Sequence, residues 1–167
     1  MIVLLDRPFP ETSLAQSAEL DLRNIGPKVW PQVLAHCRAQ KLRLYHLTLA
    51  SLEPLVELPG LTELSLSNVR IDDDDIRVLA RCTGLRRLKL SNPFERAQVA
   101  FIASRLNAQL AQPLTACVET RVPCKKCAAP TSMFSGRRMP FLCPDCDRKR
   151  FEKLTGEFDQ LVREAQG

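Results

Sequence analysis

The pattern that most narrows the folding choices of this chain is a leucine spacing that returns four times. Leu64 and Leu66 form an L-x-L pair, with Leu61 ahead of it and Asn68 and Ile71 behind. The pair restarts 24 residues later as Leu88 and Leu90, with Leu85 ahead and Asn92 behind. Going backwards, Leu42 and Leu44 stand 22 residues before Leu64 and Leu66, and Leu20 and Leu22 stand 22 residues before those. Apolar residues at every second position predict a strand with one buried face. After Ile71, Ile76 and Leu79 have the spacing of one helix face. A strand and a return segment repeated at a period of about 20–30 residues predict stacked units that share one continuous core.

Residues 17–94 resemble the leucine-rich-repeat family on these positions. Residues 64–75 are most similar to its ribonuclease-inhibitor-like class, in which a full helix follows each strand. The fold class this implies is α/β: a short leucine-rich-repeat solenoid of parallel strands backed by helices. Where the family's ladder Asn or Cys would sit, this chain has Ile25, Leu47, Val69 and Pro93. The turns after the strands are therefore expected to be apolar and less regular.

Around the repeats, residues 1–16 are expected to form an N-terminal cap, with a strand at 2–5 and a loop through Pro8, Pro10, Glu11 and Thr12. Solenoid ends need such caps because each unit leaves an apolar face uncovered. Pro27 is expected to open a helix carrying Val29, Trp30, Val33, Leu34 and Cys37, with Pro31 tolerated in its first turn. Pro54 and Pro59 shorten the next return segment. The acids at 72–75 read as helix N-cap charges, since the Gly and Glu of a calcium loop are missing. Residues 95–113 are expected to be a helix capping the repeats, with Val99, Ile102, Ala103, Leu106 and Leu110 on one face and Pro113 ending it.

Residues 114–167 carry the most specific chemical signal. Cys124 and Cys127 form one C-x-x-C pair, and Cys143 and Cys146 form a second after fifteen intervening residues. Each pair can aim two thiolates at one ion, and two pairs make the closed tetrahedral set that structural zinc prefers. With seven cysteines, an odd number, a metal site in a reducing compartment is a better reading than a disulfide scaffold. A hairpin signal at 134–137 follows the first pair. After the second comes a helical pattern with Phe151, Leu154, Phe158, Leu161 and Val162 on one side. Knuckle, hairpin, and a helix whose first turn supplies the last two ligands resemble a treble-clef zinc finger. The resemblance implies one structural Zn2+ on Cys124, Cys127, Cys143 and Cys146, supplying on the order of 10 kcal/mol to a module with little core. A rubredoxin-like iron site is disfavoured because Ala128 and Asp147 stand where the knuckle glycines would be. Four cysteines also leave no open position for catalysis.

The excess positive charge is confined to this part of the chain. Residues 121–153 hold nine Lys/Arg against three Asp/Glu, and the remainder holds 15 against 16. One reading is nucleic-acid contact through Lys125, Lys126, Arg137, Arg138, Arg148, Lys149 and Arg150. The other is compensation of a zinc tetrathiolate carrying about −2. Phe134, Phe141 and Phe151 are expected in the core, which leaves little for base stacking.

The family resemblance further implies that the outward strand positions line a concave face that binds protein partners. Its first column is Glu19, Lys41, Glu63 and Arg87, an alternation that predicts a cross-strand ion-pair ladder. The next columns are Asp21, Arg43, Ser65, Lys89; then Arg23, Tyr45, Ser67, Ser91; then Asn24, His46, Asn68, Asn92. The candidate protein-binding residues are Arg23, Arg43, Tyr45, His46, Arg87 and Lys89, with Tyr45 as the anchor, because Tyr and Arg dominate interface hot spots. The two histidines, His36 and His46, fall in no catalytic motif, and there is no Gly-rich phosphate loop. The start of the chain lacks a basic region before its short apolar run, and no apolar run is of membrane-spanning length. The expectation is a non-enzymatic cytoplasmic adaptor that binds another protein, without a membrane or small-molecule substrate. The alternative is a nucleic-acid-associated factor using the basic zinc module.

Overall fold

The computed structural model describes residues 2–4, 11–26, 29–58, 60–91 and 94–167. The chain divides into two compact units, Met1–Asn92 with Ala108–Gln112, and Pro93–Asn107 with Pro113–Gly167.

In the first unit the leucine period is the register of a parallel sheet. Strands β1 (Ile2–Leu4), β2 (Glu19–Arg23), β3 (Lys41–Leu49), β4 (Glu63–Ile71) and β5 (Arg87–Leu90) lie side by side in sequence order. Leu20, Leu42, Leu64 and Leu88 are cross-strand neighbours, as are Leu22, Leu44, Leu66 and Leu90. All but Leu90 are buried, and each contributes about 1.5–3 kcal/mol by leaving water.

The strands run further than the leucine pairs suggested. Leu47 pairs with Val69 and Leu49 with Ile71, so β3 and β4 continue past the positions where irregular turns were expected. Ile25, Leu47 and Val69 are apolar and buried as expected, but each follows a regular bend rather than an irregular turn. Asn24, His46 and Asn68 adopt left-handed backbone with φ of 54°, 54° and 52°. Each bend places two outward residues in succession, such as Tyr45 and His46, before Leu47 turns inward again. Asn and His tolerate this conformation better than most residues, so their column reflects backbone geometry. Asn92 and Pro93 lie outside the described residues.

Parallel strands need crossovers, and here the first two carry α-helices and the last two only shorter turns. Helix α1 spans Glu11–Gln16 and α2 spans Trp30–His36, with Pro31 in its first turn. The later returns are 3₁₀ turns at Glu53–Leu55 and Arg77–Arg81, not the full helix expected after each strand. The acids at 72–75 make a turn instead of capping a helix: Asp73 accepts from the Asp75 N–H at 3.1 Å, and Asp75 from the Arg77 N–H at 2.8 Å. Glu11 and Thr12, expected in a loop, sit in α1; Leu5, Pro8, Pro10, Pro27 and Pro59 lie outside the described residues. A strap from the Ala108–Gln112 segment completes this unit. The Ala111 N–H donates to the Arg86 carbonyl at 2.8 Å, and the Gln109 amide to the Thr83 and Leu85 carbonyls at 2.9 and 3.0 Å.

The second unit contains α3 (Arg96–Leu106), an antiparallel sheet of β6 (Cys117–Pro123), β7 (Pro130–Phe134) and β8 (Phe141–Leu142), and α4 (Arg148–Glu164). Helix α3, read from the sequence as a cap on the repeats, is grouped with this unit and packs on α4. The Arg96 guanidinium donates to the Leu154 carbonyl and lies 3.9 Å from Glu157 and 5.8 Å from the centre of the Phe158 ring. Arg105 donates to the Ala165 carbonyl at 3.1 Å. Phe158 is buried, and Phe134 meets Phe151 edge-on at 5.1 Å. Among the described residues no helix is long and apolar enough to cross a membrane.

Candidate metal centre and strand-face hollows

The two cysteine pairs are presented by two turns. Cys124 and Cys127 lie between β6 and β7, in a knuckle closed by the Cys124 N–H to the Ala129 carbonyl (2.8 Å) and the Ala128 N–H to the Cys124 carbonyl (2.9 Å). Ala128 takes φ of 61°, so a left-handed knuckle forms here without glycine. That removes the sequence argument against a rubredoxin-like turn at this position. Cys143 follows β8, and Cys146 precedes the first residue of α4 by two positions. The second ligand pair therefore sits in the turn leading into the helix, not in its first turn. Asp147 joins the two knuckles: its carboxylate accepts from the Cys143 N–H at 3.3 Å and lies 3.9 Å from the Lys126 ammonium.

These turns gather the sulfurs of Cys124, Cys127, Cys143 and Cys146 within 4.8 Å of one another. A tetrahedral ion with Zn–S bonds of about 2.3 Å places its sulfurs about 3.8 Å apart, so the set fits. The four cysteines could hold a metal ion such as zinc. Backbone N–H groups of Lys126 and Cys127 draw the Cys124 thiol down to about 7. The thiol of Cys127, then burial, then the other two thiols push Cys146 up to about 12. Crowding of four thiols thus opposes full deprotonation, which a bound cation would compensate. Cys37 and Cys82 are buried at the ends of return segments, where burial raises both thiols, Cys82 to about 11. Cys117 opens β6.

The basic residues of this unit are spread over several elements. Arg137 pairs with Glu95 at 3.4 Å and Arg148 with Glu152 at 2.8 Å. Lys125, Arg138, Lys149 and Arg150 are exposed. Phe134 is core as expected and Phe151 half-buried, but Phe141 is 53% exposed. It stands in cross-strand register with Met133, and Met133 with Val118, both also exposed, so the three form one apolar row on the solvent side of the sheet.

On the outward face of the parallel sheet the first column is a continuous ion-pair ladder. Lys41 lies 3.0 Å from Glu19 and 3.7 Å from Glu63, and Arg87 lies 3.4 Å from Glu63. Arg23 is held by a two-pronged contact to Asp21 at 2.8 and 2.9 Å, and its guanidinium covers the Tyr45 ring at 5.6 Å. The His46 imidazole meets the Asn68 amide at 2.9 Å. Among the described residues, two hollows on this face are well defined. Arg43, Arg87 and Lys89 line the larger, of about 390 Å³, while Arg23, Arg43 and Tyr45 line the smaller, of about 190 Å³. His46 lines neither. Ser65, which lines both, was not singled out from sequence; the signal available was a short side chain flanked by long ones in its column. A scan against protein-family models, a search of curated proteins and a search of solved structures each found no match to this chain.

Proposed function

We propose that this protein is a non-enzymatic cytoplasmic adaptor: a short leucine-rich-repeat solenoid that binds a protein partner on its strand face, joined to a zinc finger. One structural zinc on Cys124, Cys127, Cys143 and Cys146 holds the finger together. The observation that carries this reading is the in-register alignment of repeat positions across β2 to β5. That alignment displays Arg43, Tyr45 and Lys89 as one ordered surface, and Tyr45 is 41% exposed. Exposed aromatics and arginines on a regular sheet are the usual anchors of protein interfaces.

A second reading, nucleic-acid contact by the finger, is favoured by one observation: Phe141 is exposed within the most basic stretch of the chain. An exposed ring beside cations can stack a base.

Affinity capture from native lysate, with and without nuclease, tests the two together. The adaptor reading expects a stoichiometric protein partner that survives nuclease and falls at least about tenfold in Arg43→Glu. Nucleic acid in the bait, with protein lost on nuclease treatment, overturns it in favour of the finger.

A further inference from the structure

The two hollows on the parallel sheet have one cause. β4 turns Ser65 and Ser67 outward where β3 turns Arg43 and Tyr45, and where β5 places Lys89 beside Ser65. Short side chains between long ones leave a trough, and both cavities share Arg43 and Ser65 as lining. The larger is of ordinary ligand-site size at about 390 Å³. Its rim carries Lys41, Arg43, Arg87 and Lys89 against a single carboxylate, Glu63. Glu63 already lies between Lys41 and Arg87 in the ladder. Among the described residues, no carboxylate lies within ion-pairing distance of Lys89. Arg43 and Lys89 flank Ser65 from the two neighbouring strands, about 10 Å apart at the backbone.

We propose that this trough binds an extended acidic segment of a protein partner, with carboxylates on Arg43 and Lys89 and a hydrogen bond from the Ser65 hydroxyl. The inference rests on the reading that the strand face receives a protein, and names the chemistry it receives. A width of two strand spacings accepts one extended chain, whose same-side residues recur about every 7 Å. Arg43 stands in register with Asp21, and the five donors of a guanidinium allow it to take a carboxylate of the segment in addition, which fixes the segment in register. Asp21 and Glu63, set in the lining of the two hollows, disfavour an unbroken row of phosphates, whereas carboxylates spaced along a peptide can avoid them.

The test is fluorescence anisotropy of a labelled hexaglutamate peptide with the full metal-loaded chain at low ionic strength. The expected result is saturable binding that weakens with salt and drops at least about tenfold in Lys89→Glu and in Ser65→Phe, which fills the trough without changing charge. Arg148→Glu with Lys149→Glu, in the other unit, leaves it unchanged. Binding that survives the trough variants, or is lost with the α4 variants, overturns the proposal. So does an oligothymidylate of equal length that binds more tightly and is blocked by the same trough variants. If a captured partner depends on Tyr45 but hexaglutamate neither binds nor displaces it, the adaptor reading stands and the acidic segment falls. If hexaglutamate occupies the trough and no partner is captured, the acidic-ligand site stands and the adaptor reading falls.

Discussion

The ammonium of Lys41 lies 3.0 Å from a carboxylate oxygen of Glu19 on the next strand and turns its other side to Glu63 at 3.7 Å. Both partners are solvent-accessible, so the ladder fixes strand register more than it adds stability. Lys41→Glu would place three acids in a row, from Glu19 to Glu63. Thermal melting should then fall by a few degrees, at most about 4–8 °C, and added salt should recover most of the loss. The hydrogen bond to Lys41 lowers the Glu19 carboxyl from its ordinary 4.5, and the bond to Glu19 raises the Lys41 ammonium above 10.5. The ladder's contribution is therefore complete between those two values. It is lost as pH falls through the lowered Glu19 value or rises through the raised Lys41 value. A melting temperature of Lys41→Glu equal to wild type at low salt would show the ladder to be idle.

Asp21 is a carboxylate with only 3% of its surface exposed, satisfied by the Arg23 fork. Arg23→Ala removes that partner and leaves the charge buried, a loss of about 1–3 kcal/mol. Asp21→Asn should cost less, because it removes the charge along with its need for a partner. The Arg23 hydrogen bond lowers the Asp21 carboxyl. Its stabilisation is thus present above the ordinary aspartate value of 3.8 and lost as pH falls through the lowered one. Urea unfolding at pH 7 and at pH 3 checks this: the gap between wild type and Arg23→Ala should narrow at the lower pH.

Left-handed backbone at Asn68, with φ of 52°, makes a prediction from conformation alone. Asn68→Val forces a β-branched side chain into that region and should destabilise by about 1–2 kcal/mol. Asn68→Gly should lie within about 0.5 kcal/mol of wild type, because glycine accepts the dihedral and the side chain is exposed. Equal unfolding midpoints for the two variants would contradict the bend.

Removing the metal from the cysteine site should unfold the module around it, since closed thiolate sites supply on the order of 10 kcal/mol to small folds. Elemental analysis is expected to return one zinc per chain, and Cys143→Ser to reduce it severely. In hydrogen exchange after chelation, amides of β6, β7 and β8 should lose protection while those of β3 and β4 keep theirs. Unchanged protection of β6 to β8 in the metal-free chain would mean the cysteines are not its staple.

How far the sequence could be read follows from what repeats in it. Leu20, Leu42, Leu64 and Leu88 recur because the core demands an apolar residue at each level, and their spacing located the strands and their register. The cysteine cluster was legible because a set that could hold a metal tolerates few residue types at few spacings. The bend leaves only a weak trace in the sequence, the column of Asn24, His46 and Asn68. The pattern marks those residues only as outward-facing, whereas their left-handed backbone angles account for the residue types. The return segments defeated the helix pattern because Ile76 and Leu79 satisfy a 3₁₀ turn as well as an α-helix over so short a stretch. Phe141 was read as core because composition cannot tell an inner strand position from an outward one.

The polypeptide passes from one unit to the other at residue 93, returns at 108 and leaves again at 113. Neither half can be excised with a single cut. A fragment ending at residue 92 strips the Arg86, Thr83 and Leu85 carbonyls of their donors on Ala111 and Gln109, while a fragment starting at 113 discards α3 and its arginines. Proteolytic dissection of this protein should therefore yield nicked but associated pieces, and genetic dissection at one boundary should yield two insoluble ones.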